Sequence, residues 1–258
     1  MNGEFLKVLR DPVTSEQLAY ILDGKREYLS TRTGPNYEIK NDIVCFLREE
    51  ELTGNNARFR KLYDRLAPFY DLSTQVYARF KKQSVHDRLM EYLDELEIRD
   101  GDKVIEISVG TGSNLLCLTP NASYYGVDIS FGMLNRCRKA MRKDGREVYL
   151  MQAEAERLPL ADGAFDVVFS AGGFNFFNDR DKAISEMLRI AKSGSKLMIS
   201  DETEKVRAKF EKSPVAKNFY RGQKKIEGPA GFVPDCCREV KYKEVCDGEL
   251  YALTFRKP

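Results

Sequence analysis

The sequence predicts a doubly wound α/β protein preceded by a small β-rich module, and three observations carry that expectation. From residue 103 apolar strand patterns alternate with helical ones. One of those strands runs straight into a turn built on Gly110 and Gly112. Residues 1–50 follow a different, shorter rhythm of strands and turns. Strand–helix alternation implies a parallel sheet with helices on both faces.

Taken in order, strands are expected at 103–107 (KVIEI), 123–127 (SYYGV), 147–152 (EVYLMQ), 165–170 (FDVVFS) and 195–200 (SKLMIS). Helices fall at about 113–118, 131–142 and 180–192, the last stopped by Gly194. Two final strands, 238–246 and 249–256, are joined by Asp247-Gly248, a short-hairpin signal. Ahead of the sheet, 57–66 reads as a helix interrupted at Pro68, and a second helix runs from about 73 to 96. In it Val85, Leu89, Tyr92, Leu93 and Leu96 recur at helical spacing. Residues 201–232 form a charged, helical insert that ends in Gly228-Pro229-Ala230-Gly231. The N-terminal stretch is punctuated at Asp23-Gly24 and Gly34-Pro35 and closes on the apolar run 43–47 (IVCFL). With the charged segment 48–56 as linker, the expected division is 1–50 and 51–258.

Composition narrows the function. The chain has 258 residues, 42 Lys plus Arg against 40 Asp plus Glu, and a formal charge of +2. That balance gives no strong electrostatic footprint for nucleic acid. No run of 18 apolar residues exists, so no membrane span is expected. Glu4 and Asp11 sit where a secretory signal needs an apolar core. The six cysteines are scattered without a CxxC, which favours a reduced, cytoplasmic protein. Adjacent Cys236 and Cys237 suit a soft metal; ordinary loop cysteines are the simpler reading. His86, the single histidine, reads as a partly buried structural residue beside the apolar stripe.

The chemistry concentrates at the ends of the first three strands of the sheet. A dinucleotide turn wants G-x-G-x-x-G, but Leu115 stands three residues after Gly112 and Ser108 replaces an earlier glycine. Glu106 within the strand disfavours a pyrophosphate and suits a cation such as the ammonium of a methionine moiety. Asp128 ends the second strand, where an acid accepts from both hydroxyls of an adenosine ribose. Its other role, capping the next helix, fits Ser130 better. Met133 is placed to pack on an adenine face or to fill core. After the third strand Glu154 offers an acceptor for an adenine amino group, with the Ala155 amide beside it.

VIEISVGTGSN, YGVDIS, QAEAERLPL, GAFDVVFS and ISEMLRIAKSGSKLMIS together resemble class I methyltransferases, over about residues 60–200. The branch they are most like is that of the ubiquinone/menaquinone biosynthesis C-methyltransferases, and Tyr63 to Asp71 also resembles that branch. The resemblance implies a seven-stranded Rossmann-like sheet in the order 3-2-1-4-5-7-6 and S-adenosyl-L-methionine as cofactor. The expected cofactor-binding residues are Tyr70, Glu106, Ser108, Gly110, Thr111, Gly112, Asn114, Asp128, Ile129, Met133, Glu154, Ala155 and Ser170. Tyr63, Phe174, Asn175 and Phe176 are expected at the substrate, with ordinary loop packing the alternative for the last three. Segments 57–80 and 203–232 read as a lid whose Phe69, Tyr70, Tyr77, Phe210, Phe219 and Tyr220 either wall the substrate or fasten the helices. The N-terminal module resembles a small zinc-ribbon or Trm112-like fold. Its four ligand positions are Asp11, Thr14, Ser30 and Thr33, which cannot make a closed zinc site, so no metal is expected.

These readings imply methyl transfer to a small, partly apolar molecule. An RNA methyltransferase and a non-catalytic cofactor-binding partner protein are the competing classes. No Asn/Asp-Pro-Pro-aromatic motif follows the fourth strand. No catalytic base is assigned; Tyr63, Tyr70 and His86 are candidates, and the oligomeric state is left open.

Overall fold

The computed structural model describes the backbone of residues 1–32, 34–48, 51–81, 84–212 and 228–258, and their side chains outside 68–81. The chain opens with helix α1 (Gly3–Val8) and strands β1 (Ala19–Asp23), β2 (Arg26–Ser30), β3 (Tyr37–Lys40) and β4 (Ile43–Cys45). Helices α2 (Gly54–Lys81) and α3 (Val85–Leu93) lead to β5 (Lys103–Ile107), α4 (Ser113–Cys117), β6 (Ser123–Asp128), α5 (Phe131–Lys143), β7 (Val148–Gln152) and β8 (Phe165–Ala171). Then come α6 (Arg180–Ile190), β9 (Ala191–Glu202), α7 (Glu204–Lys212) and the hairpin β10 (Arg238–Val245) and β11 (Leu250–Arg256).

The central strands run β7-β6-β5-β8-β9-β11-β10, the expected order, and are parallel except for β11 and β10. Val104, Ile105 and Ile107 of β5 are all buried, which is why the strand reads as a continuous apolar run rather than an alternation. Among the described residues the sheet has eleven strands, not seven, because β4 pairs in parallel with β7 and brings β3, β2 and β1 with it. The physical reason is the edge. Without β4 the backbone donors and acceptors of β7 would face solvent, and the apolar run 43–47 is the segment that pairs with them. Phe5, Val8, Leu9, Val44 and Phe46 belong to one hydrophobic cluster with Ile105, Tyr125 and Phe165, so the N-terminal strands share the core of the main sheet.

Inside that module Asp11, 1% exposed, organises the turn where a metal-binding knuckle would lie. Its Oδ1 accepts from the amides of Val13 and Thr14, each at 2.8 Å, and its Oδ2 accepts from the Tyr37 hydroxyl at 2.8 Å. Thr33 lies outside the described residues.

Three local expectations change. Helix α2 continues through Pro68, which removes one backbone donor; its preceding turns are held on α5 by Asp64, and the helix does not break there. Helix α6 ends at Ile190 because Ala191 already pairs with Phe165, leaving Gly194 inside β9 rather than at a helix stop. His86 is exposed beside Asp87 instead of partly buried. Among the described residues no helix is long and apolar enough to cross a membrane.

Candidate active site

The carboxyl ends of β6, β5, β8 and β9 open into a single cavity of about 500 Å3, a size typical of small-molecule sites. At β5 the chain turns through Ser108 (φ 65), Gly110 (φ 54) and Gly112 (φ 81). Such angles favour glycine, and two of the three positions have it. Gly110 faces open space, whereas a β-carbon on Gly112 would meet Cys137 Sγ at 2.7 Å. Gly112 therefore serves the close packing of α4 on α5 and does not line the cavity.

Asp128 ends β6 at the cavity wall. Its Oδ2 accepts from the Gly110 amide at 2.9 Å and its Oδ1 from the Ser130 amide at 2.8 Å. Burial pushes its carboxyl up to about 6, against the pull of those two amides. Ser130 caps α5, accepting from the Met133 amide and donating to Asp64 Oδ1 at 2.6 Å. Asp64 also accepts from the Gly132 amide at 3.0 Å, so α2 is fastened by a carboxylate at the positive end of α5. Under the turn, Glu106 is fully buried, and burial holds its carboxyl well above the usual range. Asn114 donates to Glu106 Oε1 and accepts from the Tyr92 hydroxyl at 2.7 Å, while Glu106 Oε2 has no partner among the described residues.

Of the residues expected from sequence, Tyr63, Ser108, Gly110, Thr111, Asn114, Asp128, Ile129, Met133, Ala155 and Phe176 line this one cavity. Glu106, Gly112, Glu154, Ser170, Phe174 and Asn175 do not. Glu154 is engaged instead by Asn56, whose Nδ2 donates to Glu154 Oε1 at 2.8 Å and to Glu156 Oε2 at 3.1 Å. Ser170 is buried within β8, and Phe174 packs against Phe177 and Phe232. Asn175 is a scaffold residue: its amide donates to Asp201 Oδ2 and its side chain to the Glu202 carbonyl. The side chain of Tyr70 falls outside the described residues, as do those of Phe69 and Tyr77 and residues Phe219 and Tyr220. From the expected lid, Phe59, Tyr63 and Leu66 of α2 and Phe210 of α7 reach the cavity.

Sequence reasoning missed Asn56, Leu89, Tyr92, Glu156, Phe177, Asp201 and Glu202 at the cavity wall. A signal existed for the last two, an acidic pair at the carboxyl end of a strand in a doubly wound sheet. For Asn56 there was none, since it sits at the start of a helix far along the chain from its partners.

Residues 105–199, which hold the glycine turn and Asp128, match the model of the methyltransferase domain. The chain carries a class I, S-adenosylmethionine-dependent methyltransferase domain. It is 31% identical over 147 residues to the demethylmenaquinone methyltransferase of Thermus thermophilus, covering 54% of this chain and 63% of that protein. It is also 31% identical over 170 residues to a ubiquinone/menaquinone biosynthesis C-methyltransferase of Saccharophagus degradans, covering 63% of this chain and 66% of that one. The chain thus spans somewhat less than two thirds of the length of these curated relatives. The fold of the methyltransferase domain is also that of a SAM-dependent methyltransferase from Thermotoga maritima, with a TM-score of 0.57 at 22% identity, covering 77% of this chain and 99% of the other.

Proposed function

We propose that this protein transfers the methyl group of S-adenosylmethionine to a small, partly apolar acceptor, with a quinol-type ring as the acceptor class. The observation that carries the reading is the makeup of one cavity. The glycine turn and Asp128 line it together with an apolar set, Leu89, Phe176, Phe177 and Phe210. The relatives' names point the same way, being those of enzymes of demethylmenaquinone and of ubiquinone/menaquinone biosynthesis.

The residues present fit the cofactor. Each Asp128 oxygen accepts one amide and keeps a lone pair for a ribose hydroxyl. Glu106 Oε2, buried beneath the turn, has no partner among the described residues and suits an ammonium reached through an ordered water. Gly110 lets the backbone be approached closely, and Met133 and Ile129 offer apolar contact to an adenine. Asn56, holding Glu154 and Glu156 together, fixes the start of α2 at the cavity.

When bound, the cofactor supplies a methyl group already activated on a sulfonium. The protein's task is then alignment and exclusion of water. Phe176, Phe177 and Phe210 form an apolar wall against which a planar ring is held, and Tyr63 adds a polar edge. A small-molecule acceptor rather than RNA accords with a net charge of +2 spread over 82 charged Lys, Arg, Asp and Glu residues (42 and 40). Free cysteines at all six positions accord with a reducing, cytoplasmic setting.

The test is calorimetry with S-adenosylhomocysteine, followed by transfer of labelled methyl to a panel of quinols, phenols and thiols. Binding with transfer to a quinol or phenol is expected. Failure to bind S-adenosylhomocysteine at all would overturn the reading.

A further inference from the structure

The end of β9 carries two acids into the cavity, Asp201 and Glu202. The register sets their distance from Asp128. Residue 107 of β5 pairs with Ser170 of β8, and Ala171 of β8 pairs with Ser200 of β9, so the three strand ends stand side by side. Gly172 follows β8, its amide donating to the Ser200 carbonyl at 2.9 Å. Asp128 on β6 is three strands from β9, roughly 14 Å at the usual interstrand spacing. That sets the acids apart from Asp128 within the same cavity, with Leu250 of β11 paired to Glu202.

The two acids differ in burial and in reach. Asp201 is 1% exposed, and its oxygens accept from the Asn175 amide at 2.8 Å and the Glu202 amide at 2.7 Å. It is a fixed part of the wall. Glu202 has the longer side chain and only partial burial, so it is the one with reach into the cavity.

Given the methyl-transfer reading above, on which this rests, we infer that Glu202 is the proton acceptor for the acceptor's hydroxyl. The hydroxyl's O–H bond breaks and its proton passes to a Glu202 carboxylate oxygen. The electron pair so freed, on oxygen or delocalised to the ring carbon beside it, forms the new bond to the methyl group. The sulfur–methyl bond breaks with its pair left on sulfur, turning the sulfonium into a neutral thioether. After transfer to carbon, the ring proton leaves to water, aromaticity returns, and Glu202 gives its proton back to the ring oxygen to restore the hydroxyl. After transfer to oxygen, Glu202 releases its proton to solvent instead.

The surroundings suit a base. Burial, then Asp201 on the same strand and Glu249 in the turn before β11, push the Glu202 carboxyl up to about 8. Arg88 of α3 pulls it down, but Arg88 also donates to Glu249 Oε2 at 2.8 Å, and Lys209 of α7 donates to Glu249 Oε1 at 2.6 Å. Arg180, before it on the chain, acts on Asp201 rather than on Glu202. A proton acceptor works best with a pKa near the working pH.

Two measurements on the full chain test this with the Glu202→Gln variant. The first needs no substrate. A carboxyl raised in the fold is bound to its proton more tightly than in the unfolded chain. The wild type should therefore lose stability relative to the variant as pH rises from about 4.5 to about 8, and the two melting curves should run parallel above that. The second is methyl transfer to naphthalene-1,4-diol, kept reduced. Wild-type kcat/KM should climb with pH through about 8, whereas the variant should lose roughly 100-fold or more and that limb of the profile. S-adenosylhomocysteine affinity should stay within a few-fold in both. A wild type that methylates the diol while the variant keeps the same rate and pH profile overturns the role of Glu202 and leaves methyl transfer standing. A wild type that binds S-adenosylhomocysteine but methylates neither the diol nor the wider panel overturns both.

Discussion

A β-carbon on Gly173 would stand 2.5 Å from Ser108 Cβ, so these two residues share a space that holds one side chain. Ser108 occupies it, from a left-handed backbone conformation (φ 65) that a non-glycine residue adopts at a cost of about 1–2 kcal/mol. The resemblance to methyltransferases makes glycine the usual residue at 108, and Gly173 is what allows the serine. Gly173→Ala should destabilise the fold by about 1–3 kcal/mol through overpacking. Ser108→Gly should be stabilising by about 1 kcal/mol. The double variant should recover most of the loss, and denaturant melts over the four proteins measure the coupling. Additive effects would show that the two positions do not contend for one space.

Asp128 is expected to carry the ribose contact of the proposed cofactor. Asp128→Ala should weaken S-adenosylhomocysteine binding by about 1–3 kcal/mol, roughly 5- to 150-fold, by calorimetry. The pH dependence has a sign. The carboxyl is pushed up to about 6 by burial, so it is protonated below that value and accepts hydrogen bonds poorly there. Cofactor affinity should fall as pH drops through about 6 in the wild type and stay flat in the alanine variant.

Asp11 is expected to hold the N-terminal module without metal. Its carboxyl lies below the usual aspartate range because the amides of Thr14 and Val13 and the Tyr37 hydroxyl outweigh the effect of burial. A lowered carboxyl stabilises the fold above its unfolded value of 3.8, and that contribution is lost as pH falls through the folded value. Asp11→Ala should cost about 2–4 kcal/mol at neutral pH, with a difference that shrinks below about pH 4. Elemental analysis should find no zinc, and a chelator should leave the melting temperature unchanged.

The sheet was legible because its strands are buried on both faces and bounded by glycine turns, so 103–107, 123–128, 165–171 and 250–256 stand out as apolar runs. The union of β4 with β7 was not. Parallel pairing between segments about 100 residues apart leaves no local mark, and the apolar run 43–47 announces burial without naming its partner. The site divides the same way. That Gly110 and Asp128 line the cavity was legible because a glycine turn and an acid at a strand end are local signals. The hydrogen bond from Asn56 to Glu154 was not, because its partners are 98 residues apart.

Phe210 offers the sharpest test of how the apolar part of the cavity is used. It projects from α7, belongs with Leu62, Tyr63 and Ile129 around the buried pair Phe59 and Phe176, and lines the cavity. Phe59 and Phe176 themselves are 4.5 Å apart between ring centroids and are part of the protein's own packing. Truncating either would confuse folding with binding, since a buried Phe→Ala change costs about 3–5 kcal/mol. Phe210 is less buried than they are, so Phe210→Ala should fold and should remove chiefly apolar surface presented to the acceptor. If a planar acceptor rests there, its KM should rise by about tenfold, equivalent to about 1.4 kcal/mol, with S-adenosylhomocysteine affinity within a few-fold of the wild type. Phe210→Leu, which keeps most of the apolar area, should recover much of that loss. An alanine variant with wild-type KM and a lowered melting temperature would mean that Phe210 only fastens α7 to the body of the protein.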